Sequence, residues 1–159
     1  MQQNQEKITR NDVLSLDIAT HCGFYSMHER GVWDFTESKR RNDNKQHKAF
    51  RDTLIDFITK YKIKQIVAED VNVNRHFIDM RKLSEFRGIL LEVCDTLNLP
   101  EPVFIKTATV KKWATGNGNA SKETMIKFCE LRWHTTPIDD NEADATHIFY
   151  YYVRKFNLL

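Results

Sequence analysis

An acidic residue, Asp17, lies near the end of the apolar run VLSLDI at residues 13–18. The side chains of this run alternate in a way that predicts a β-strand, and its apolar character is typical of a core strand. A carboxylate costs several kcal/mol to bury unless it is paired or binds a cation. The fold must therefore bring a partner to Asp17, and this requirement constrains the chain more than any other feature.

The segments that follow predict a three-stranded antiparallel meander. A second strand is expected in GFYSMHE, after Gly23, and a third in GVWDFTE, set off by Gly31. The short separations between these runs favour consecutive antiparallel pairing. The polar run SKRRNDNKQHK, residues 38–48, is expected to be a loop that leads into a helix.

Apolar residues at helical spacing predict two helices, at residues 50–61 and 80–97, with a short strand at 66–68 between them. PVFIKTA predicts a fifth strand, and TVKKWAT a short helical turn. Ser121 can cap a helix that continues to about Trp133. After Pro137, Asp140 can cap a last helix of roughly sixteen residues.

The resulting order, β-β-β-α-β-α-β-α-α, predicts an α/β fold with a mixed five-stranded sheet. Strands 1, 4 and 5 are joined by helical crossovers and should be parallel, whereas strands 1 to 3 form the meander. Helices should cover both faces of the sheet. The chain has 159 residues, which suits a single domain over residues 1–159.

Acidic residues are expected to meet at one end of this sheet. Strands 1 and 4 should be parallel neighbours, so Asp17 and Glu69 approach the same end. The stretch DDNEADATHI, residues 139–148, adds Asp140 and Asp144 at positions i and i+4, and Asn141 shares much of their helix face. These acids are either the solvated first turn of an ordinary helix or the ligands of a metal. Oxygen ligands suit Mg²⁺ or Mn²⁺, and three or four carboxylates can hold two such ions about 4 Å apart for phosphodiester hydrolysis.

Five short motifs resemble, in order, those of RuvC-like Holliday junction resolvases. They are LSLDIATHCGFYS, IVAEDV, FRGILLE, TVKKWATGNGNASKETM and DDNEADA, which together span about residues 13–148. The fourth is the most specific, because it combines a lysine-rich turn, a Gly-x-Gly loop and an Ala-x-Lys-Glu run. The resemblance implies a ribonuclease-H-like fold, a homodimer, and cleavage of four-way DNA junctions with a divalent metal.

The resemblance also implies roles for individual residues. Asp17 and Glu69 match the first two catalytic acids of the family, and Asp144 matches the last. The remaining acid position of the family is occupied by Asn141, so either Asp140 or Asn141 is expected to complete the metal site. Two further expectations concern the same helix: Asp139 and Glu142 should be solvated, and His147 either faces the cleft as an auxiliary residue or is an ordinary polar residue of the helix face.

The basic residues predict a DNA-binding face, although the net charge of the chain is only +2. Family lysines similar to Lys111, Lys112 and Lys122 contact DNA near the cut, and the loop between Gly116 and Gly118 lets backbone N–H groups approach a phosphate. Further positive charge comes from the SKRR run, residues 38–41, and from four other side chains: Arg75, Arg81, Lys82 and Arg87.

The loop after the second acid is a candidate contact with the junction centre. His76 and Phe77 lie in it, and an aromatic ring here either stacks on a base or begins the apolar face of the next helix. The helix at residues 78–97 is the predicted dimer contact, with Met80, Leu83 and Phe86 as candidates.

The sequence therefore predicts a metal-dependent endodeoxyribonuclease that resolves four-way junctions by paired symmetric nicks. A nuclease acting on forks, flaps and other branched DNA would use the same catalytic residues, and a non-catalytic junction-binding protein is the alternative from another class. The N-terminal segment lacks the apolar run of a signal peptide, and no stretch is long and apolar enough for a membrane span. Three widely spaced cysteines suit buried reduced thiols in the cytoplasm.

Overall fold

The computed structural model describes residues 7–36, 43–70 and 77–159. Its strands form one sheet in the order β3-β2-β1-β4-β5. The strands are β1 (Val13–Asp17), β2 (His21–Tyr25), β3 (Arg30–Asp34), β4 (Gln65–Glu69) and β5 (Val103–Ile105). β1, β2 and β3 pair antiparallel, whereas β4 is parallel to β1 and to β5. The predicted mixed sheet is confirmed, including its meander and its two parallel crossovers.

The helices are α1 (Asp43–Tyr61), α2 (Phe77–Thr96), α3 (Thr107–Thr115), α4 (Lys122–Trp133) and α5 (Asp140–Lys155). Several predicted boundaries were wrong. β2 already begins at His21, because residues 21 and 22 pair with Asp34 and Trp33 of β3. Helix α1 includes residues 43–48, which were expected in a loop, and the predicted turn TVKKWAT is part of the nine-residue helix α3. In the described part of the chain, no helix is both long and apolar enough to cross a bilayer.

Two apolar clusters lie on opposite faces of the sheet. On one face, Leu14 and Leu16 of β1 pack with α1 and α2 around stacked rings of Phe50 and Phe86. On the other face, Val13 of β1 and Val67 of β4 pack against α5 and α3. Because side chains alternate along a strand, residues 13, 15 and 17 of β1 all point towards α5. Asp17 therefore belongs to the α5 side of the molecule.

Helix α5 lies directly against the backbone of β2 at Gly23. A Cβ on this glycine would overlap the main-chain carbonyl of Asn141, in the first turn of α5. The backbone of Gly23 is that of an ordinary strand, so the glycine is required for space and not for an unusual φ angle. One turn further along, the buried hydroxyl of Ser15 donates a hydrogen bond to the Ala145 carbonyl at 2.6 Å. These two contacts fix the position of α5 over β1 and β2.

The substitution Gly23→Ala tests this close approach. The added methyl group meets backbone, which cannot rotate away, so we expect a loss of about 1–3 kcal/mol in the free energy of unfolding. The measurement is urea denaturation followed by circular dichroism.

Gly88→Ala is the matched control, because a Cβ at Gly88 has open space and lies on helix α2. We expect this variant to be neutral or more stable by about 0.5–1 kcal/mol, as for glycine replacement within a helix. Equal stability of the Gly23→Ala variant and the parent would show that α5 is not held against β2 in this way.

Candidate active site

Asp17 and Glu69 end two neighbouring parallel strands. The register pairs Leu16 with Ala68, so the next residue on each strand places the two acids side by side at the same end of the sheet. Strand alternation directs both towards the face that α5 covers. Asp17 is 6% exposed, and its negative charge contributes to raising the pKa of the buried thiol of Cys22, whose larger cause is burial.

Asp144 of α5 lies over the same end of the sheet. Burial raises the pKa of its carboxyl to about 7, and the negative charge of Glu69 adds to the effect. The charge of Asp140 raises this pKa further, while the cations of Lys111 and Lys122 oppose the rise. The carboxylates of strand β4 and helix α5 are thus close enough to resist ionising together.

A cleft lies between the end of β4 and helices α3, α4 and α5. It is lined by Glu69, Ile105, Thr107, Val110, Lys111, Met125, Asp144 and Ile148. The hydroxyl of Thr107 donates a hydrogen bond to the Glu69 carboxylate. Apolar side chains form the wall of the cleft, and two acids, one lysine and one hydroxyl provide its polar groups.

The start of α5 differs from the prediction in two respects. The N-cap is Asp139 and not Asp140, since the Asp139 carboxylate accepts a hydrogen bond from the Glu142 N–H at 3.0 Å. Glu142 is buried and accepts a hydrogen bond from the Ile138 N–H at 2.5 Å. Its other carboxylate oxygen lies 3.7 Å from Nε of Arg30 on β3. The expectation that Glu142 is solvated was therefore wrong, whereas Asp139 is a partly exposed N-cap.

Asp140 and Asn141 both lie in the first turn of α5, but their side chains contact different residues. The Asp140 carboxylate lies 3.4 Å from Nζ of Lys122, the first residue of α4. The Asn141 side-chain amide donates a hydrogen bond to the Asp139 carboxylate at 3.3 Å. Of these two side chains, Asp140 is the one whose charge raises the pKa of Asp144.

His147 is buried in the core, so the suggestion that it faces the cleft was wrong. The indole N–H of Trp133 donates to its Nδ1 at 3.0 Å, and its Nε2 lies 2.8 Å from the Met125 carbonyl. Burial lowers the pKa of the ring, which favours the neutral form with a proton on Nε2. The histidine ties α5 to α4 and does not line the cleft.

The basic residues predicted to bind DNA lie beside the cleft and at its rim. Lys111 lines it, whereas Lys112 and Lys122 are exposed. Gly116 ends α3 with a left-handed φ of 83°, a conformation that favours glycine, and opens the loop to Gly118.

Other predicted basic residues have acidic partners or lie elsewhere. Arg87 lies 3.8 Å from Asp70 and covers the ring of Phe104, and Arg81 lies 3.8 Å from Glu85. Arg75, His76, the SKRR run at residues 38–41 and the side chain of Phe77 lie outside the described residues, so their DNA-binding roles stay predictions.

The donor set suits a hard divalent cation. Carboxylate oxygens are the ligands that Mg²⁺ and Mn²⁺ prefer, and the raised pKa of Asp144 is caused first by burial and then by the negative charges of Glu69 and Asp140, which a cation would offset. Across residues 7–36, 43–70 and 77–159, however, no three His, Cys, Asp or Glu side chains are close enough to bind a metal together as they stand. The convergence of Asp17, Glu69, Asp144 and either Asp140 or Asn141 on one metal centre therefore stays a prediction.

Two kinds of comparison relate the chain to known proteins, although no protein-family model matches its sequence. The chain is 33% identical over 113 residues to the crossover junction endodeoxyribonuclease RuvC of Brachyspira hyodysenteriae, a match that covers 70% of each chain. Its fold is similar to the structure of Thermus thermophilus RuvC, with a TM-score of 0.73, 15% identity, and coverage of 91% of this chain and 96% of that one. It is equally similar to T. thermophilus RuvC in complex with a Holliday junction substrate, with a TM-score of 0.72, 16% identity, and coverage of 91% and 95%.

These similarities agree with the fold of the chain. The end-to-end match in fold accounts for the sheet order, and the sequence match extends over most of the chain. The five sequence motifs lie on β1 and β2, on β4, on α2, on α3 and α4, and at the start of α5. The chain belongs to the RuvC family of crossover junction endodeoxyribonucleases.

Proposed function

We propose that this chain is an endodeoxyribonuclease that resolves four-way DNA junctions by paired symmetric nicks, leaving 5′-phosphate and 3′-hydroxyl ends. The observation that carries the proposal is the cleft in which Glu69 and Asp144, from a strand and a helix, lie with Lys111 beside the end of β1. RuvC relatives are crossover junction endodeoxyribonucleases, and a RuvC of similar fold has been seen with a Holliday junction.

Nucleases of the RuvC family are metal-dependent, and we propose Mg²⁺ or Mn²⁺, two ions per site, for this chain. When bound, such ions supply a nucleophilic hydroxide from water and stabilise the charge on the phosphate and on the departing 3′ oxygen. Asp17, Glu69 and Asp144 would hold the ions through carboxylate oxygens, with Asp140 or Asn141 completing the set. Burial of these acids supports the assignment, because clustered carboxylates in a part-buried cleft are unfavourable without a cation.

The lysines around the cleft provide the contacts with the DNA backbone. Lys111 lies close enough to Asp144 to lower its pKa, so a phosphate bound beside the acids would meet this cation as well. Lys122 and the loop from Gly116 to Gly118 lie at the rim, where they can neutralise a neighbouring phosphate. Lys112 and three groups that the structure does not describe, Arg75, His76 and the side chain of Phe77, are the further proposed contacts with the junction.

We propose that the active form is a homodimer of single nuclease domains, working in the cytoplasm of a bacterial or phage-infected cell. A two-fold dimer presents two identical sites to a junction that is itself nearly two-fold symmetric, which explains paired nicks. The exposed side of α2 is the proposed contact, and it includes Met80 and Leu83, which are partly exposed. Phe86, the third predicted candidate, is fully buried against Phe50, so its place in the contact was wrong.

The substitution Asp17→Asn tests the metal mechanism. Loss of one carboxylate ligand removes several kcal/mol of charge stabilisation, so we expect cleavage of a synthetic four-way junction to fall about 100-fold or more. The measurement is the single-turnover rate in Mg²⁺ and in Mn²⁺, with forks, flaps and duplex DNA as comparison substrates.

Asp56→Asn, at an exposed position of α1, is the control and should cut junctions at the rate of the parent. Undiminished cutting by the Asp17→Asn variant would rule out the proposed mechanism. Equal cutting of flaps and junctions by the parent would favour a broader branched-DNA nuclease, and junction binding without nicking in either metal would favour a non-catalytic protein.

The raised pKa of Asp144 predicts a pH-dependent gain in stability for Asp144→Asn. The folded protein holds this proton up to a pH of about 7, whereas an unfolded aspartate loses it near pH 4. The free energy of unfolding of the metal-free parent therefore falls as the pH rises from about 4 to about 7, and the full penalty applies above pH 7. We expect the variant to have a higher melting temperature than the parent at pH 8, by the equivalent of a few kcal/mol, since one pKa unit corresponds to about 1.4 kcal/mol.

The difference should shrink as the pH falls from about 7 to about 4 and be small only near pH 4, where the unfolded parent is protonated as well. Added Mn²⁺ should raise the melting temperature of the parent at pH 8 and have less effect on the variant. Identical melting curves for the two proteins in EDTA at pH 8 would show that Asp144 is not in a cluster of negative charges.

The substitution Lys122→Ala tests the rim of the cleft. We expect weaker junction binding, with the slope of log K against log salt concentration reduced by about 1, as for the loss of one phosphate contact. Lys127→Ala, an exposed lysine on another side of α4, should leave both quantities unchanged. An unaltered salt slope for Lys122→Ala would remove this residue from the DNA-binding surface.

A further inference from the structure

The connection from β5 to α3 places a hydroxyl group on the carboxylate of Glu69. Ile105, the last residue of β5, is the register partner of Glu69, and its carbonyl accepts a hydrogen bond from the Asp70 N–H at 2.9 Å. Only Lys106 separates β5 from Thr107, the first residue of α3. This tight turn leads the Thr107 hydroxyl to the Glu69 side chain, to which it donates a hydrogen bond.

The bond is not an ordinary use of a threonine in a helix. A helical threonine hydroxyl commonly donates to the carbonyl one turn earlier, as those of Thr115 and Thr146 do here, to Lys111 and Glu142. At the first position of a helix no such intrahelical carbonyl exists. Nor does Thr107 cap α3, whose N-cap position is Lys106 and has no side-chain cap bond.

Thr107 also shares a helix face with the other cleft residues of α3. Thr107, Val110 and Lys111 stand at positions i, i+3 and i+4, and all three line the cleft together with Glu69 and Asp144. Thr109, two residues further on, is exposed and does not line this cleft. The Thr107 hydroxyl is therefore one of the polar groups that line the cleft.

A donated hydrogen bond fixes the conformation of a carboxylate side chain. Glu69 needs such a constraint, because a carboxylate that binds a cation must be held in one orientation. Groups that orient metal ligands in this way commonly alter metal affinity 10- to 100-fold when they are removed.

We propose that Thr107 is a positioning residue that holds the Glu69 carboxylate in the orientation needed to bind the divalent cation; the inference rests on the proposed nuclease function. Thr107 does not itself touch the substrate or the cation. Its effect is on the affinity of the site for the cation and, much less, on the rate of the reaction once the cation is bound.

The test compares Thr107→Val with the parent in two measurements. One is the Mn²⁺ concentration that gives half of the maximal cleavage rate on a four-way junction. The other is the Mn²⁺ dependence of the melting temperature without DNA, which reports cation binding independently of catalysis. We expect Thr107→Val to need about 10- to 100-fold more Mn²⁺ in both, and to recover a rate within a few-fold of the parent at saturating Mn²⁺.

Two further variants separate positioning from packing. Thr107→Ser retains the hydroxyl and should need no more than about threefold more Mn²⁺ than the parent, whereas Thr109→Val removes a hydroxyl from the exposed side of the same helix and should behave as the parent. If Thr107→Val does not fold, Thr107→Ala takes its place with the same expected shift. An unchanged Mn²⁺ requirement for the folded valine or alanine variant overturns the proposal.

The outcomes for Thr107 and for the proposed function are distinguishable. A parent that binds Mn²⁺ but cuts no junction would contradict the proposed function, while the shift in melting temperature would still decide the role of Thr107. A parent that cuts junctions, together with a valine variant of unchanged Mn²⁺ requirement, would leave the function standing and exclude the positioning role.

Discussion

The approach of helix α5 to the backbone of β2 is the constraint on which the site depends. Gly23 has no side chain, so the main chain of Asn141 can lie directly on the strand. Gly23 is also the register partner of Asp17. The contact at Gly23 therefore holds α5 beside Asp17. If α5 were displaced by the width of a methyl group, Asp140 and Asp144 would move away from Asp17.

Two other interactions hold α5 in the same place along its length. The buried hydroxyl of Ser15 bonds to the Ala145 carbonyl, and Arg30 of β3 lies near the buried carboxylate of Glu142. A buried carboxylate is costly unless it is hydrogen-bonded or paired, and here the Ile138 N–H meets this requirement. The acids of α5 thus divide into Asp139 and Glu142, which secure the helix start, and Asp140 and Asp144, which meet Lys122 and the cleft.

Much of this arrangement could be predicted from the sequence, because it follows from strand order. Two short apolar runs that end in acids, joined by a helical crossover, place Asp17 and Glu69 at one end of a parallel pair. The spacing Asp-x-x-Glu predicts that Asp139 is an N-cap and that Glu142 bonds back to the helix start, although Glu142 accepts from the Ile138 N–H and not from the N-cap N–H of a capping box. Placing the N-cap at Asp140, one residue late, hides this spacing, since the helix is capped by Asp139.

Other features depend on which helix covers which face, and periodicity does not determine that. His147 lies three residues after Asp144 and so has nearly the same direction on α5, yet α4 covers it with Trp133 while the cleft lies at Asp144. The Thr107 contact likewise depends on the single-residue turn between β5 and α3, and no pattern in the sequence predicts that turn. Here the strand next to β5 ends in the acid Glu69, and the connection after β5 is too short to direct the first side chain of α3 elsewhere. Residues that orient a metal ligand should therefore be sought in short connections of this kind.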